Sequence, residues 1–304
     1  MTTKTKNVTA ARRRVDGVLL LDKPVGLSSN AVLQRAKRLF NAEKAGHTGT
    51  LDPMASGLLP LCFGEATKFA RFLLDADKCY RAQVRFGVTT TTQDAEGDVV
   101  IAQPVSLDRA HIEAALPAFT GELRQSPPAH SALKFQGRSY YDYARKGIEI
   151  PRPARDVEVK ILTLIEWSSP LATLDVVCSK GTYIRTLAAD LGAALGCGAH
   201  LAGLRRTATG GFRIDEAISL DGLGGIDVGA RDALLLPIDC LLDGLPRLDV
   251  AGDDAIRLRH GRSIDAPVPT FERFRAYGPD GDLVGVLARV DDVLVPDRLM
   301  RHVS

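Results

Sequence analysis

The chain has 304 residues, 45% hydrophobic and 25% charged, with a net charge of +2 at neutral pH. That length exceeds one ordinary core and predicts a main domain with a smaller appendage. No apolar run approaches the roughly 20 residues that span a bilayer, and so small a net charge excludes a globally basic nucleic-acid binder, leaving only local basic surfaces.

In chain order, residues 1–14 carry Lys4, Lys6, Arg12, Arg13 and Arg14 without the apolar stretch of a secretory signal, and read as a loose, disordered basic tail. Gly17 to Asp22 predicts a strand running into a turn at Lys23 and Pro24. A helix follows, capped by Ser28, Ser29 or Asn30, with Val32, Leu33, Ala36, Leu39 and Phe40 at helical spacing. Beyond the loop from Gly46 to Gly57 lie a buried strand at Leu58 to Phe63 and a helix at Ala66 to Leu74. The next strand places Tyr80, Ala82, Val84 and Phe86 on one face. Strands and helices mix without regular βαβ units, which favours an α+β fold over a doubly wound sheet.

From about Gln125 to Val159 the pattern breaks at Pro127, Pro128, Pro151 and Pro153, around a short helix at Ser139 to Lys146 that Gly147 caps. Leu171 to Cys178 reads as a strand turning at Ser179 to Gly181 into a helix from about Tyr183 to Leu195. The glycine-rich stretch Asp221 to Gly229 loosens the chain, and Leu245 and Pro246 mark a domain boundary. Beyond it, Phe271 to Tyr277 and Leu283 to Val290 flank Pro279, Asp280 and Gly281 as a β-hairpin in a small β-rich domain. Cys62, Cys79, Cys178, Cys197 and Cys240 are scattered and odd in number, against a disulfide framework or zinc site and in favour of a reducing cytoplasm.

Three segments carry candidate chemistry. The first, Gly46 to Pro53, crowds His47, Thr48, Thr50 and Asp52 between two glycines that allow close backbone approach, while Pro53 holds Asp52 extended. It lacks the Gly-Lys-Ser/Thr of a nucleotide-binding P-loop, so Asp52 reads either as a rigid nucleophile or base or as part of a plain turn. The second is Ser179 to Leu187. If Thr182 caps its helix, Arg185 lies in the first turn, where the helix dipole disfavours a cation. It either seeks a carboxylate such as Asp52, lowering that group's pKa, or points to solvent. Tyr80 is a candidate of the same kind or a core aromatic. The third is the excursion, where Lys134, Arg138, Arg145, Lys146, Arg152, Arg155 and Lys160 interleave with Phe135, Tyr140, Tyr141 and Tyr143. Cations on phosphates and aromatics on bases are how irregular or single-stranded RNA is gripped; the other reading is a protein-binding or purely solvated insertion. Arg205, Arg206 and, in the tail, Arg257, Arg259, His260, Arg262, Arg273 and Arg275 add positive clusters.

Together the Lys23-Pro24, Gly46 to Gly57, Ser179 to Thr186 and Arg205-Arg206-Thr207 segments resemble the bacterial tRNA pseudouridine 55 synthases, the TruB family, nearly end to end. The resemblance implies the pseudouridine synthase fold, a mixed central sheet in a catalytic domain over 15–245, with a PUA-like RNA-binding domain over 246–304. By position, Asp52 matches the family's catalytic aspartate, Tyr80 its active-site tyrosine and Arg185 the arginine pairing with the aspartate. His47 resembles the histidine that keeps the target base out of the T-loop stack, Tyr183 and Leu204 line the uracil pocket, and Lys23 supports the first motif. The excursion corresponds to the thumb that closes over the T arm, which guide-RNA-dependent relatives lack. A monomer acting on tRNA in the cytoplasm, with no guide RNA, membrane, metal or cofactor, is the expectation, because isomerising one retained base transfers no electrons. Two rivals stand beside it: a noncatalytic RNA-binding protein, and a carboxylate nucleosidase, which would usually need a second positioned carboxylate.

Overall fold

The computed structural model of the protein describes residues 11–265 and 271–301. One sheet dominates it, built from β1 (Gly17–Lys23), β2 (Ala45–His47), β3 (Ala55–Phe63), β4 (Lys78–Phe86) and β5 (Gly121–Gln125), followed by β6 (Arg155–Ser168), β7 (Leu171–Cys178), β8 (Ala199–Thr209), β9 (Phe212–Arg213) and β10 (Ile218–Ser219). Across it the strands run β10-β1-β3-β8-β4-β7-β6-β5, with β2 on β3 and β9 on β8. The pairs β1/β10 and β3/β8 are parallel and the others antiparallel, so the sheet is mixed and the α+β expectation holds.

Burial explains which strand lies where. In β1 and β3 apolar residues run consecutively, and both faces are covered. Leu19, Leu21, Leu59, Leu61 and Phe63 pack under helix α1 (Ser29–Leu39), whose Val32, Leu33 and Ala36 form the buried stripe. Val18, Leu20, Leu58 and Cys62 face the opposite side. Strand β4 alternates instead, burying Ala82, Val84 and Phe86 beneath helix α2 (Ile184–Ala194) and exposing Arg81, Gln83 and Arg85. Strand β8 lies between β3 and β4, placing Arg206 opposite Gly57 on one side and Tyr80 on the other. Gly57 is required there: its φ is +105°, and a Cβ would lie 2.3 Å from the Arg206 carbonyl oxygen.

The C-terminal region forms a second sheet from β11 (Arg247–Asp249), β12 (Ile264–Asp265), β13 (Arg273–Tyr277), β14 (Leu283–Val290) and β15 (Val293–Leu299), ordered β11-β13-β14-β15-β12. The expected hairpin is β13/β14. This sheet docks on the first: Val286 is buried with Val18, Leu20, Leu58 and Phe69, Arg71 pairs with Asp297, and Lys68 Nζ donates to the Leu299 carbonyl at 3.2 Å.

Several sequence expectations need correction. The helix expected at Ala66 to Leu74 is split into a tight turn, Gly64–Lys68, and a short helix, Ala70–Leu74; both arrangements bury Ala66, Phe69 and Leu73. The glycine-rich stretch is no loose segment at its start. Ser219 Oγ accepts from Gly222 N at 3.0 Å and caps a helix at Leu220–Gly225 that buries Leu220 and Leu223, outweighing the glycines. The insertion proper is residues 126–154, since Gln125 and Arg155 already pair across β5 and β6. Of the expected loose tail, residues 1–10 lie outside the described residues. Arg13 is fixed, its Nη1 and Nη2 each 2.6 Å from the Asp232 carboxylate and its backbone N–H bonded to the Asn41 carbonyl.

Candidate active site

Asp52 sits in a loop held from three directions. Ser29 Oγ accepts from Leu51 N at 2.8 Å and donates to Leu51 O at 2.9 Å, so the residue before Asp52 is pinned by a buried hydroxyl. The helix cap is the neighbouring Ser28, which accepts from Ala31 N at 3.2 Å. Lys23, wholly buried, donates to the carbonyls of Pro24, Pro53 and Ala55, two of them just past Asp52. Burial lowers its pKa to about 8. Arg206 donates from Nε to Leu58 O at 2.7 Å and from Nη2 to Gly49 O at 3.5 Å. Gly49 has φ +91° and meets this need for a left-handed turn, whereas Gly46 lies in β2 with no such constraint.

Arg185 stands in the first turn of α2, as expected, but Thr182 is not the cap. Tyr183 occupies that position without a side-chain bond, and Thr182 Oγ1 donates to Ser179 O at 3.0 Å. Gln125 holds the helix start instead, accepting from Tyr183 N at 3.0 Å and donating to Tyr183 O at 3.4 Å. The Arg185 guanidinium, 5% exposed, divides between two carboxylates: Nε lies 3.0 Å from Asp52 Oδ2 and Nη1 lies 3.2 Å from Asp94 Oδ2. Its Nη2 donates to the His130 carbonyl at 2.7 Å, tying the base of the insertion to the same group. The expected lowering of the Asp52 pKa is reversed in net effect. Burial raises it, Arg185 opposes that rise, and Asp94 adds to it.

A cavity of about 340 Å³ opens beside Asp52, lined by Lys78, Tyr80, Tyr183, Leu204 and Arg206 among others. A second cavity meets it at Asp52 and Arg185 and takes in His47, Asp94, His130 and Tyr141. The structure thus gathers Asp52, Tyr80, Arg185, Tyr183 and Leu204 at one cavity, places His47 at its neighbour, and sets Lys23 beneath the loop. His47 Nδ1 is buried without a partner, and burial followed by the nearby Arg206 charge lowers the ring pKa, keeping the imidazole neutral. Burial also raises the Tyr80 pKa, with Arg206 opposing, so Tyr80 rests as a phenol.

Sequence reasoning missed Asp94 and Arg206 as parts of this site. Asp94 lies in a run of threonines that reads as a polar turn. Arg206 was assigned to a positive RNA-facing cluster, yet it is 1% exposed, and its neighbour Arg205 is bidentate to Asp22. In the insertion, Tyr140 is buried and bonds Pro151 O, while Tyr143 packs on Phe135 and bonds its carbonyl. Of its four aromatics, only Tyr141, 48% exposed beneath Arg145, stands open for stacking. In the tail, Arg257, Arg273 and Arg275 pair with Asp254, Asp297 and Asp243.

The mixed sheet that carries this Asp-Arg-Asp chain has the pseudouridine synthase fold. The same fold is found in the Cbf5 chain of a Cbf5-Nop10-Gar1 complex, with TM-score 0.71 and 26% identity over 94% of this chain and 84% of that one. A Cbf5 chain from an archaeal box H/ACA sRNP Nop10-Cbf5 complex gives TM-score 0.69 at 25% identity, covering 94% and 86%. Residues 37–184 match the family model described as TruB family pseudouridylate synthase (N terminal domain), and residues 185–243 match the tRNA pseudouridylate synthase B C-terminal domain. The tRNA pseudouridine synthase B of Thiobacillus denitrificans is 56% identical over 97% of this chain and 99% of its own. That of Chromobacterium violaceum is 54% identical over 96% of each. The chain belongs to the TruB family of pseudouridylate synthases and is an enzyme.

Proposed function

We propose that this protein isomerises uridine to pseudouridine in tRNA, at position 55 of the T loop, acting as a monomer without a guide RNA. The observation that carries this is the Arg185–Asp52 ion pair at the junction of the two cavities, which holds a carboxylate rigid where a flipped base would enter. A uracil stacked in a folded loop must first leave the stack, at a cost of a few kcal/mol. Neutral His47 and the insertion, residues 126–154, hold it out, and Tyr183 and Leu204 bracket the ring. Asp52 then breaks the C1′–N1 bond, either as nucleophile at C1′ or by taking the C2′ proton to form a glycal. The ring turns and rejoins through C5, and Tyr80 receives the C5 proton. Lys23 supports the loop and takes no part in the chemistry. The C-terminal sheet, residues 247–299, serves as the PUA-like module contacting RNA outside the T loop.

The nucleosidase rival finds no water-activating carboxylate in Asp94, which is 2% exposed with its oxygens taken by Arg185, Thr92 and the backbone of Glu96; hydrolysis would have to use Glu96, exposed at the second cavity with Asp52. The test is release of tritium from a T-arm RNA labelled at uracil C5, with pseudouridine in the product. Free uracil in its place would overturn the proposal.

A further inference from the structure

Arg206 is among the largest fully buried side chains, and among the described residues no carboxylate pairs with it. Its hydrogen bonds go to two backbone carbonyls and to the Tyr80 side chain, none of which carries a resting charge to neutralise it. A buried cation without a counter-anion is costly, and proteins normally pair such a charge. Tyr80 stands directly opposite Arg206 across the antiparallel β4/β8 pair, and both side chains line the cavity beside Asp52. Opposed residues in such a pair project to the same face with their Cβ atoms roughly 5 Å apart. Of the two residues that face Arg206 across its strand pairs, Gly57 and Tyr80, the phenol is the one able to become an anion during the reaction.

We propose that Arg206 is a positioning residue that stabilises Tyr80 as a transient phenolate, so that one tyrosine both gives and takes the proton that the uracil ring must relocate. This rests on the reading of Asp52 and Tyr80 above. When the C1′–N1 bond breaks, its electron pair stays on N1, and the Tyr80 hydroxyl gives its proton to N1, leaving a phenolate beside the guanidinium. Turning the ring brings C5 to the place N1 held. The C5=C6 electron pair then attacks C1′, and the C1′–O bond to Asp52 breaks with its electrons returning to the carboxylate, or on the glycal route Asp52 first returns the C2′ proton; the C5–H bond breaks, its electrons restore C5=C6, and the proton passes to the phenolate. The net change is one proton moved from C5 to N1, and Tyr80 ends as it began. Burial favours the phenol at rest, while Arg206 is the largest opposing influence, as a resting phenol that must ionise briefly requires.

The test measures tritium release and RNA affinity in Arg206→Gln, with tyrosine or the more acidic 3-fluorotyrosine placed at position 80. Arg206→Gln should lose about 100-fold in kcat, the lower end of what proton-transfer catalysis contributes, with KM nearly unchanged. Fluorotyrosine should restore about tenfold of that loss, because the transient phenolate is easier to form, which a purely structural Arg206 would not permit. If Arg206→Gln does not unfold cooperatively, Arg206→Lys replaces it, with a smaller loss and the same direction of rescue expected. A wild-type rate in Arg206→Gln, or no rescue by fluorotyrosine, overturns the role of Arg206. A wild-type rate in Tyr80→Phe would instead remove the reading of Tyr80 on which it rests.

Discussion

Arg185 Nε lies 3.0 Å from Asp52 Oδ2, joining a helix first turn to a loop 133 residues away in sequence, the difference between positions 185 and 52. The dipole of α2 disfavours a cation at that turn, and two carboxylates with the carbonyl oxygens of Thr92 and His130 compensate. The pair fixes the Asp52 rotamer while the rest of its side chain, 37% exposed, faces the cavity.

Replacing Arg185 with methionine should therefore lower kcat by about 100-fold or more, since misplacing a reacting group by about 1 Å costs that much. The pH profile should move as well. Burial raises the Asp52 pKa and Arg185 opposes it, so removing Arg185 raises that pKa further. The reaction uses the carboxylate, and the acid limb of kcat should shift to higher pH in the variant. Single-turnover rates across an acidic pH series check this.

Ser29→Ala should remove both bonds to Leu51 and leave two buried backbone groups without their partner, at about 1–3 kcal/mol each. Lower thermal stability accompanied by a fall in kcat is the expected result. Calorimetry and turnover on the same sample check it.

Tyr141 is the exposed aromatic of the insertion. Base stacking contributes about 1–3 kcal/mol, so Tyr141→Ala should weaken RNA binding by about 5- to 150-fold with single-turnover chemistry at saturation little altered. Tyr140→Ala, by contrast, should reduce stability, because Tyr140 is buried and bonded to Pro151. Equilibrium binding and thermal melts separate the two.

Lys23 has a pKa of about 8 in the folded chain, lowered by burial from the ordinary 10.5. Between those values the unfolded chain binds the proton more tightly than the native one, so this group makes stability rise with pH across that window and contributes no slope below it. Lys23→Met should reduce the slope in that window, where Lys78, lowered by burial to about 8, supplies a further contribution, as denaturant melts from pH 7 to pH 10.5 would measure.

The frame of the fold was legible because local rules agree with the tertiary outcome. Strand β4 alternates as its burial requires, and α1 carries both a serine cap and an apolar stripe. Asp52, Tyr80 and Arg185 were reached through motif resemblance; spacing alone left Asp52 as readily a turn. What sequence could not reveal is burial of polar groups by distant strands. Arg206 looked like half of a surface Arg-Arg pair, yet strand alternation sends Arg205 to Asp22 and Arg206 to the buried side of the cavity beside Asp52. Gly57, facing Arg206 across the sheet, was a usable signal, since a glycine in a strand marks close backbone approach. Asp94 gave none, because its value comes only from Arg185 reaching it. The pKa of Asp52 was misjudged for the same reason: the arginine was visible and the burial was not.

The central claim is that Asp52 breaks the glycosidic bond. Asp52→Asn is nearly isosteric and should retain RNA affinity within a few-fold. Mixed with T-arm RNA tritiated at uracil C5, wild-type protein should release the tritium and yield pseudouridine, and Asp52→Asn should do neither. Tritium release by Asp52→Asn at the wild-type rate would contradict the account.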